Sequence, residues 1–292
     1  MLIGHHQAQT QLAALLQSGR FPHAILLHGP QGIGKRKLAE VLATRLICGP
    51  AETEAPEVDM FGAPVASTVP GGPLAINESS PLYAQLQAQS CPDYHVLQPD
   101  EGKKSIGIKQ VQNLLEVLRS ADNARTVIVD SLEDLTPEAA NTILKTLEEP
   151  RPGIYFILIA HQLSATLPTI RSRCRLCAIQ PLSQSETEEV LAENKAERSL
   201  AVLAAGRPGS VLGAGAKARA EALVALQNGQ KPALTTPHFT STVLQHLATR
   251  PPTLQQAETY FKLSALQRDA ADKNLPAALT AEVALKKIEA MK

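Results

Sequence analysis

A short apolar run that enters a glycine-rich loop decides the fold of this chain. Residues 22–35 are Pro-His-Ala-Ile-Leu-Leu-His-Gly-Pro-Gln-Gly-Ile-Gly-Lys, and helical spacing of apolar residues follows them. The run predicts a buried parallel strand that turns into a helix. In such a turn, glycines let backbone N–H groups surround a phosphate, and a lysine reaches its terminal oxygens. We therefore predict a phosphate-binding P-loop formed by Gly29, Gly32, Gly34 and Lys35, with a plain strand-to-helix turn as the alternative.

The residues that would hold a metal ion and activate water beside this loop are missing. Arg36 follows Lys35 where a hydrolysing P-loop has a Ser or Thr that ligates magnesium. An arginine cannot ligate a cation and repels it. The apolar run 126–129 ends in Asp130, and the next residue is Ser131, whose hydroxyl is a poor base. We predict that this site does not hydrolyse ATP, and we interpret Asp130 as a relic of a metal ligand or as an acceptor near a helix.

Apolar runs alternate with helical patterns over the first 180 residues, which predicts an α/β domain with a parallel sheet. After Pro181 the strands stop, and Ser183 with Glu186 has the spacing of a capping box. We predict an α/β domain over 1–180, a small helical lid over 181–213 and an all-α domain over 214–292. The strands are predicted at residues 22–28, 94–97, 126–130, 155–160 and 176–179.

Residues 49–90 differ in character from the rest of the first domain. They are rich in proline, contain Gly71-Gly72 and lack sustained periodicity. We interpret them as a long surface insertion that is partly disordered.

Composition excludes several function classes. The 28 basic and 28 acidic residues balance, whereas a protein that grips DNA alone usually has a basic excess. Aromatic residues make up 3%, with no Trp, so a single-strand-binding module lacks its stacking rings. No charged leader precedes an apolar run, and no apolar run reaches membrane-spanning length. Four cysteines suit a reducing compartment, and we expect a cytoplasmic protein without membrane contact.

Five segments, in order along the chain, resemble the AAA+ subunits of bacterial clamp loaders. The resemblance covers residues 19–174, whereas residues 183–292 are compatible only in their helical layout. The segments are Gly-Arg-Phe-Pro-His-Ala (19–24), the loop 29–35, Leu-Thr-Pro-Glu-Ala-Ala-Asn (135–141), Leu-Lys-Thr-Leu-Glu-Glu-Pro (144–150) and Leu-Pro-Thr-Ile-Arg-Ser-Arg-Cys (167–174).

The resemblance gives Arg173 a role. In this family the arginine of the Ser-Arg-Cys segment lies at a subunit boundary and points into the neighbour's ATP site as a trans arginine finger. A guanidinium is always charged and can form paired contacts with phosphate oxygens, so the chemistry agrees. The alternative is that Arg171 and Arg173 are solvated loop charges.

Within this family, the resemblance leaves a choice between a non-hydrolysing stator and an ATP-hydrolysing motor. Arg36 and Ser131 favour the stator. So do His161, where an active member usually has a Thr or Asn that senses the terminal phosphate, and Gly209, where a second sensing arginine is expected. The stator would donate Arg173 to a motor subunit, and the active motor is the alternative. From a different class, a P-loop small-molecule kinase is a further alternative.

The resemblance also implies partners and cofactors. The partners would be motor (gamma/tau) and delta subunits in a hetero-oligomeric ring joined by helical collar domains, here 214–292, and indirectly a sliding clamp and primer-template DNA. No cofactor is required, although the loop leaves room for passive binding of ATP or ADP. Many members carry a four-cysteine zinc module after the first helix, but here only Cys48 and Cys91 lie near it, so we expect no zinc. Cys174 and Cys177 are interpreted as packing residues.

Overall fold

A computed structural model of the chain describes residues 2–51, 72–119, 125–196 and 200–212, with single residues and short helical runs beyond 212. The chain divides into two compact units. The first comprises Met1–Pro30 with Gly34–Gln180, and the second comprises Gln31–Ile33 with Pro181–Lys292.

The first unit is built on a parallel sheet. Among the described residues, five strands form it in the order β2-β3-β4-β1-β5, and each neighbouring pair is parallel. Leu26 on the inner strand β1 stands opposite Leu158 and Leu176. The predicted α/β class and parallel sheet are therefore confirmed. The strands are β1 (Ala24–His28), β2 (Tyr94–Leu97), β3 (Arg125–Val129), β4 (Ile154–Ala160) and β5 (Arg175–Ala178).

Helices alternate with these strands along the chain. Thr136 caps the N-terminus of α5 by accepting a hydrogen bond from the Ala139 N–H, and Pro137 occupies the first turn, where it removes no helical bond. The α-helices are α1 (His6–Gln17), α2 (Lys35–Cys48), α3 (Pro81–Gln87), α4 (Ile108–Arg119), α5 (Pro137–Glu148), α6 (Pro168–Arg171), α7 (Gln184–Glu193) and α8 (Ala201–Ala204).

The inner strands β1, β3 and β4 are buried on both faces, which is why they are nearly continuous apolar runs, whereas the edge strand β5 is largely exposed. Leu26 and Phe156 pack with α4 and α5 in one cluster that includes Val111 and Ile143. Successive residues of a strand point to opposite faces, and α2 packs against β1, β3 and β4. This packing holds the ends of β1, β3 and β4 at one edge of the sheet.

The insertion 49–90 is more regular than its sequence indicates. Helix α3 forms within it, and Ser80 accepts a hydrogen bond from the Leu82 N–H at its start. Pro50 forms an antiparallel bridge with Ile76. The sequence did not predict this helix, because seven residues are too few for periodicity to appear. Residues 52–71 lie outside the described part of the chain.

The second unit begins with α7, whose N-terminus has the predicted capping box. The Ser183 N–H donates to the Glu186 carboxylate at 2.8 Å, and the Glu186 N–H donates to Ser183 Oγ at 3.3 Å. Leu191 packs there with Ala201, Ala204 and Val211. Most of 214–292 lies outside the described residues, so the lid and collar assignments stay predictions. Within the described residues, no helix combines the length and apolar character needed to cross a membrane.

Gly206 offers a test of packing in the second unit. Its φ is +74°, and a Cβ there would lie 2.5 Å from the Leu182 carbonyl oxygen. Gly102 also has a positive φ, +79°, but a Cβ there would meet nothing within 4 Å. Gly102→Ala should lower the free energy of unfolding by about 1 kcal/mol, because alanine is strained in the left-handed conformation. We expect Gly206→Ala to cost about 1–3 kcal/mol more, measured by urea unfolding, because it adds a clash. Equal losses would contradict the described contact.

Candidate functional site

The loop between β1 and α2 has the backbone course that the sequence predicts. The Gly29 N–H donates to the Ala160 carbonyl at 3.3 Å and so ties the loop to the end of β4. Gly34, with φ at 100°, precedes the first residue of α2 and adopts a left-handed conformation that favours glycine. The chain therefore passes from a buried strand through a glycine-rich loop into a helix.

Lys35 is turned back onto its own loop. Its Nζ donates hydrogen bonds to the Gly29 carbonyl at 2.6 Å and to the Pro30 carbonyl at 2.7 Å. The residue is only 3% exposed. Burial lowers the pKa of Lys35 to about 8, against the opposing charges of Glu133 and Asp130. A phosphate entering the loop would have to replace both of these carbonyl contacts.

Arg36 forms an ion pair with Asp130. Arg36 Nη1 lies 3.1 Å from Asp130 Oδ2, and Arg36 Nε donates to Glu40 Oε1 at 2.9 Å. Burial opposes the charged guanidinium, but the hydrogen bond and charge of Glu40 and the charge of Asp130 outweigh it and raise the pKa of Arg36. The carboxylate that would ligate magnesium thus accepts from a cation of the chain itself. A guanidinium beside the carboxylate of Asp130 does not form a set of ligands that fits a magnesium ion.

The Arg36–Asp130 contact gives Asp130 a partner within the chain. Asp130 accepts from a side chain in the first turn of α2, the helix that begins with Lys35, as expected for an acceptor near a helix. Sequence analysis considered the two residues separately and missed the pair. The signal was present, since a cation in the first turn of α2 and a carboxylate at the end of a strand meet at the same edge of a parallel sheet.

Ser131 is tied to a local structure. Its hydroxyl donates to Asp134 Oδ2 at 2.7 Å, and its N–H donates to the same oxygen at 3.1 Å. The residue is buried and precedes the short 3-10 helix Leu132–Asp134. Ser131 therefore belongs to the N-terminus of this helix, and its hydroxyl proton is donated to Asp134.

Glu133 is a member of the site that sequence analysis missed. Its Oε1 accepts hydrogen bonds from the N–H groups of His161 at 2.7 Å and Gln162 at 2.9 Å, just beyond β4. Burial first, and then the charge of Lys35, lower the pKa of His161, so its imidazole is neutral at neutral pH. No local motif marks Glu133, because its partners are backbone groups 28 and 29 residues further along the chain.

Gly209 has no room for a side chain. In the second unit, which includes Gln31–Ile33, the Gly209 N–H donates to the Gly32 carbonyl at 2.8 Å. A Cβ on Gly209 would lie 2.9 Å from Gly32 Cα, closer than real Cβ contacts come. An arginine at this position would require the backbone to move.

Arg173 lies just beyond α6, and its contacts are local. Its Nη1 donates to the Thr169 carbonyl at 2.9 Å and to Ser172 Oγ at 3.1 Å. Its Nη2 forms an ion pair with Glu148 Oε1 at 2.7 Å. The side chain is 34% exposed. Among the described residues, none of these partners belongs to the loop, so Lys35 and Asp130 share one cluster and Arg173 belongs to another.

The two cysteines near Arg173 have the properties of packing residues. Cys174 packs against the main core, and burial raises its thiol pKa to about 12. Burial also raises the pKa of Cys177, against the charge of Arg175. Both thiols stay protonated at neutral pH, whereas the thiolate is the reactive and metal-binding form.

Comparisons with known proteins give one consistent result. A family model described as "DNA polymerase III, delta subunit" matches residues 4–60 and 76–183, more than half of the chain. A Pseudomonas aeruginosa protein named DNA polymerase III subunit delta' is 39% identical over 155 residues, which are 52% of this chain and 41% of that protein. The Escherichia coli protein of the same name is 31% identical over 210 residues, 69% of this chain and 57% of that protein.

A Mycobacterium bovis DNA polymerase III subunit gamma/tau is also similar, at 27% identity over 175 residues, 59% of this chain and 27% of that protein. The matches to the two delta' proteins span about half of the length of those relatives.

The environment of Lys35 predicts an unusual titration. We expect one lysine Cε or Nζ NMR signal to titrate at about pH 8 and to vanish in Lys35→Met, well below the value of about 10.4 that is ordinary for a lysine in water. Between about pH 8 and pH 10.5, Lys35 is protonated in the unfolded chain and neutral in the folded chain. The unfolding free energy of the wild type should therefore rise with pH relative to Lys35→Met in this window. A Lys35 signal that titrates with the exposed lysines would disprove the burial argument.

Proposed function

The chain belongs to the DNA polymerase III, delta subunit family, and from this premise we propose that it is the delta-prime subunit of a bacterial clamp loader. It acts in the cytoplasm in a hetero-oligomeric ring with motor (gamma/tau) and delta subunits. Hydrolysis of ATP in the motor subunits loads a sliding clamp onto primer-template DNA during replication. The chain itself is a stator, without ATPase activity of its own, and it donates Arg173 to a neighbouring motor site.

The Arg36–Asp130 ion pair is the observation that carries the proposal of a non-hydrolysing site. The pair sets a fixed positive charge against the carboxylate that would otherwise hold magnesium. At about 4 Å and an effective dielectric constant of about 20, a dication and a guanidinium repel by about 8 kcal/mol. A magnesium ion would have to displace Arg36 before it could reach Asp130. Ser131, already committed to Asp134, supplies no base.

The surroundings of Arg173 support a role towards a neighbouring subunit. Its guanidinium is partly exposed at the end of a short helix, and its anchors, Thr169 and Ser172, come from the same segment. In the described residues its partners lie outside the loop cluster, and its ion pair with Glu148 is itself partly exposed, so the guanidinium can be approached by a site outside this chain. Supplied in trans, an arginine finger raises phosphoryl-transfer rates by about 10³–10⁵.

The ATP-hydrolysing motor subunit is the second candidate. The observation that favours it is the similarity to a DNA polymerase III subunit gamma/tau. The arrangement at Arg36, Ser131 and Gly209 weighs against it. Membership of the family removes the small-molecule kinase alternative.

Arg36→Thr tests the loop site directly. The substitution frees Asp130 and supplies a hydroxyl, so we expect ATP to bind at least about tenfold more tightly with magnesium than with EDTA, by calorimetry. Arg45→Thr, which removes a cation from the last turn of the same helix, should show no such dependence, like the wild type. Adding Ser131→Glu to Arg36→Thr is the change that should create slow hydrolysis. Steady magnesium-dependent ATP turnover by the unmodified chain would refute the stator proposal.

Arg173→Ala tests the finger in a reconstituted ring. We expect the ring to assemble normally on size exclusion and its clamp-stimulated ATPase activity to fall. At the adjacent motor site, the loss in rate should approach the roughly 10³–10⁵-fold effect of an arginine finger supplied in trans. Arg171→Ala removes an equal charge two residues away and should retain most of the activity. If Arg173→Ala assembled and kept full ATPase activity, Arg173 would not be a finger.

A further inference from the structure

Glu148 lies at the end of α5 and forms an ion pair with Arg173. Glu148 Oε1 is 2.7 Å from Arg173 Nη2. The preceding residue, Leu147, is buried in the main core, so the last turn of α5 is fixed in place. A carboxylate on a short, two-methylene stem at the end of a packed helix has few positions available to it.

The other side of Arg173 is also fixed. Ile170 is buried in the same core, and Cys174 packs against it. In the same segment, the Thr169 carbonyl and the Ser172 hydroxyl accept the hydrogen bonds of Nη1. The segment itself therefore holds one end of the guanidinium, while Glu148, from a different helix, holds the other.

Glu148 differs from the other partners of Arg173 because it is negatively charged, whereas the acceptors on Thr169 and Ser172 are neutral. The segment 171–175 carries arginines at 171, 173 and 175 and no acidic residue. In the described residues, Glu148 is the carboxylate that forms an ion pair with Arg173. An arginine side chain has about 2 kcal/mol of rotamer entropy, so a finger held only by its own segment would sample several directions.

Resting on the proposed finger, we infer that Glu148 is a positioning residue that aims the Arg173 guanidinium at the phosphate of the neighbouring subunit. Both side chains of the pair are partly exposed, at 34% for Arg173 and 47% for Glu148. Exposed pairs of this kind contribute little net stability. The contact can therefore orient Arg173 without preventing its approach to a multiply charged phosphate.

This role differs from a structural one in what it predicts. Because the pair is exposed, Glu148→Gln should leave the unfolding of the chain and the assembly of the ring unchanged. A misplaced catalytic group lowers the rate even when binding persists. Loss of Glu148 should therefore lower kcat for ATP hydrolysis while KM stays the same.

The experiment uses the ring reconstituted with full-length chains. Glu148→Gln should lower kcat by about tenfold, less than Arg173→Ala does, with KM for ATP unchanged. Glu149→Gln, at the exposed neighbouring position in the same motif, should match the wild type. In the Arg173→Ala background, Glu148→Gln should cause no further loss, because the residue acts through Arg173.

The outcomes separate the inference from the proposal beneath it. If Arg173→Ala has full activity, the finger itself is wrong, and the role of Glu148 is overturned with it. If Arg173→Ala loses activity while Glu148→Gln does not, only the role of Glu148 is overturned. A higher kcat in Glu148→Gln, or a further loss in the double variant, would overturn it as well.

A measurement on the isolated chain does not depend on assembly. The ¹⁵Nε order parameter of Arg173 reports how tightly the guanidinium is held. It should fall in Glu148→Gln and stay unchanged in Glu149→Gln. An unchanged value in Glu148→Gln would show that Thr169 and Ser172 suffice to hold the side chain.

Discussion

Parallel pairing brings the ends of β1, β3 and β4 to one edge of the sheet, and the chemistry of the loop site depends on which side chains stand there. In open α/β sheets this edge is where ligands bind. Here it carries the loop after β1, Asp130 after β3 and His161 after β4. The same sheet would serve an active nucleotide site, so on the proposal of a non-hydrolysing stator the difference lies in a few side chains. Arg36 is the decisive one, because its guanidinium meets Asp130 at 3.1 Å.

Much of the fold could be predicted because its signals are local. Buried strands such as 155–160 appear as apolar runs, and Thr136-Pro137 marks the start of α5. Helix α3 was missed because seven residues hold too few apolar positions to reveal a period. At the site, the substitutions Arg36 and Ser131 were visible in the sequence. The partners of Glu133 were not, because backbone N–H groups carry no sequence signature.

The ion pair between Glu148 and Arg173 belongs to the same class of unpredictable contact. The two residues lie in separate motifs, and neither motif predicts a contact with the other. The sheet provides the link, since α5 precedes β4 and α6 follows it, and both helices contribute to one core through Leu147 and Ile170. A charged pair on the surface is thus set by apolar packing beneath it. Such a pair can be recognised only once the packing is known.

Lys35 shows how this loop keeps its form through contacts within the chain. A lysine without a phosphate partner would be expensive to bury, yet this one is 3% exposed and bonded to two loop carbonyls. The Lys35 Nζ supplies a hydrogen-bond donor to both of these carbonyls where the chain turns sharply. The lysine and the glycines therefore support each other structurally. On the proposal of a stator, such a loop needs no nucleotide to hold its shape, and the end of β1 stays fixed while hydrolysis proceeds in a neighbouring subunit.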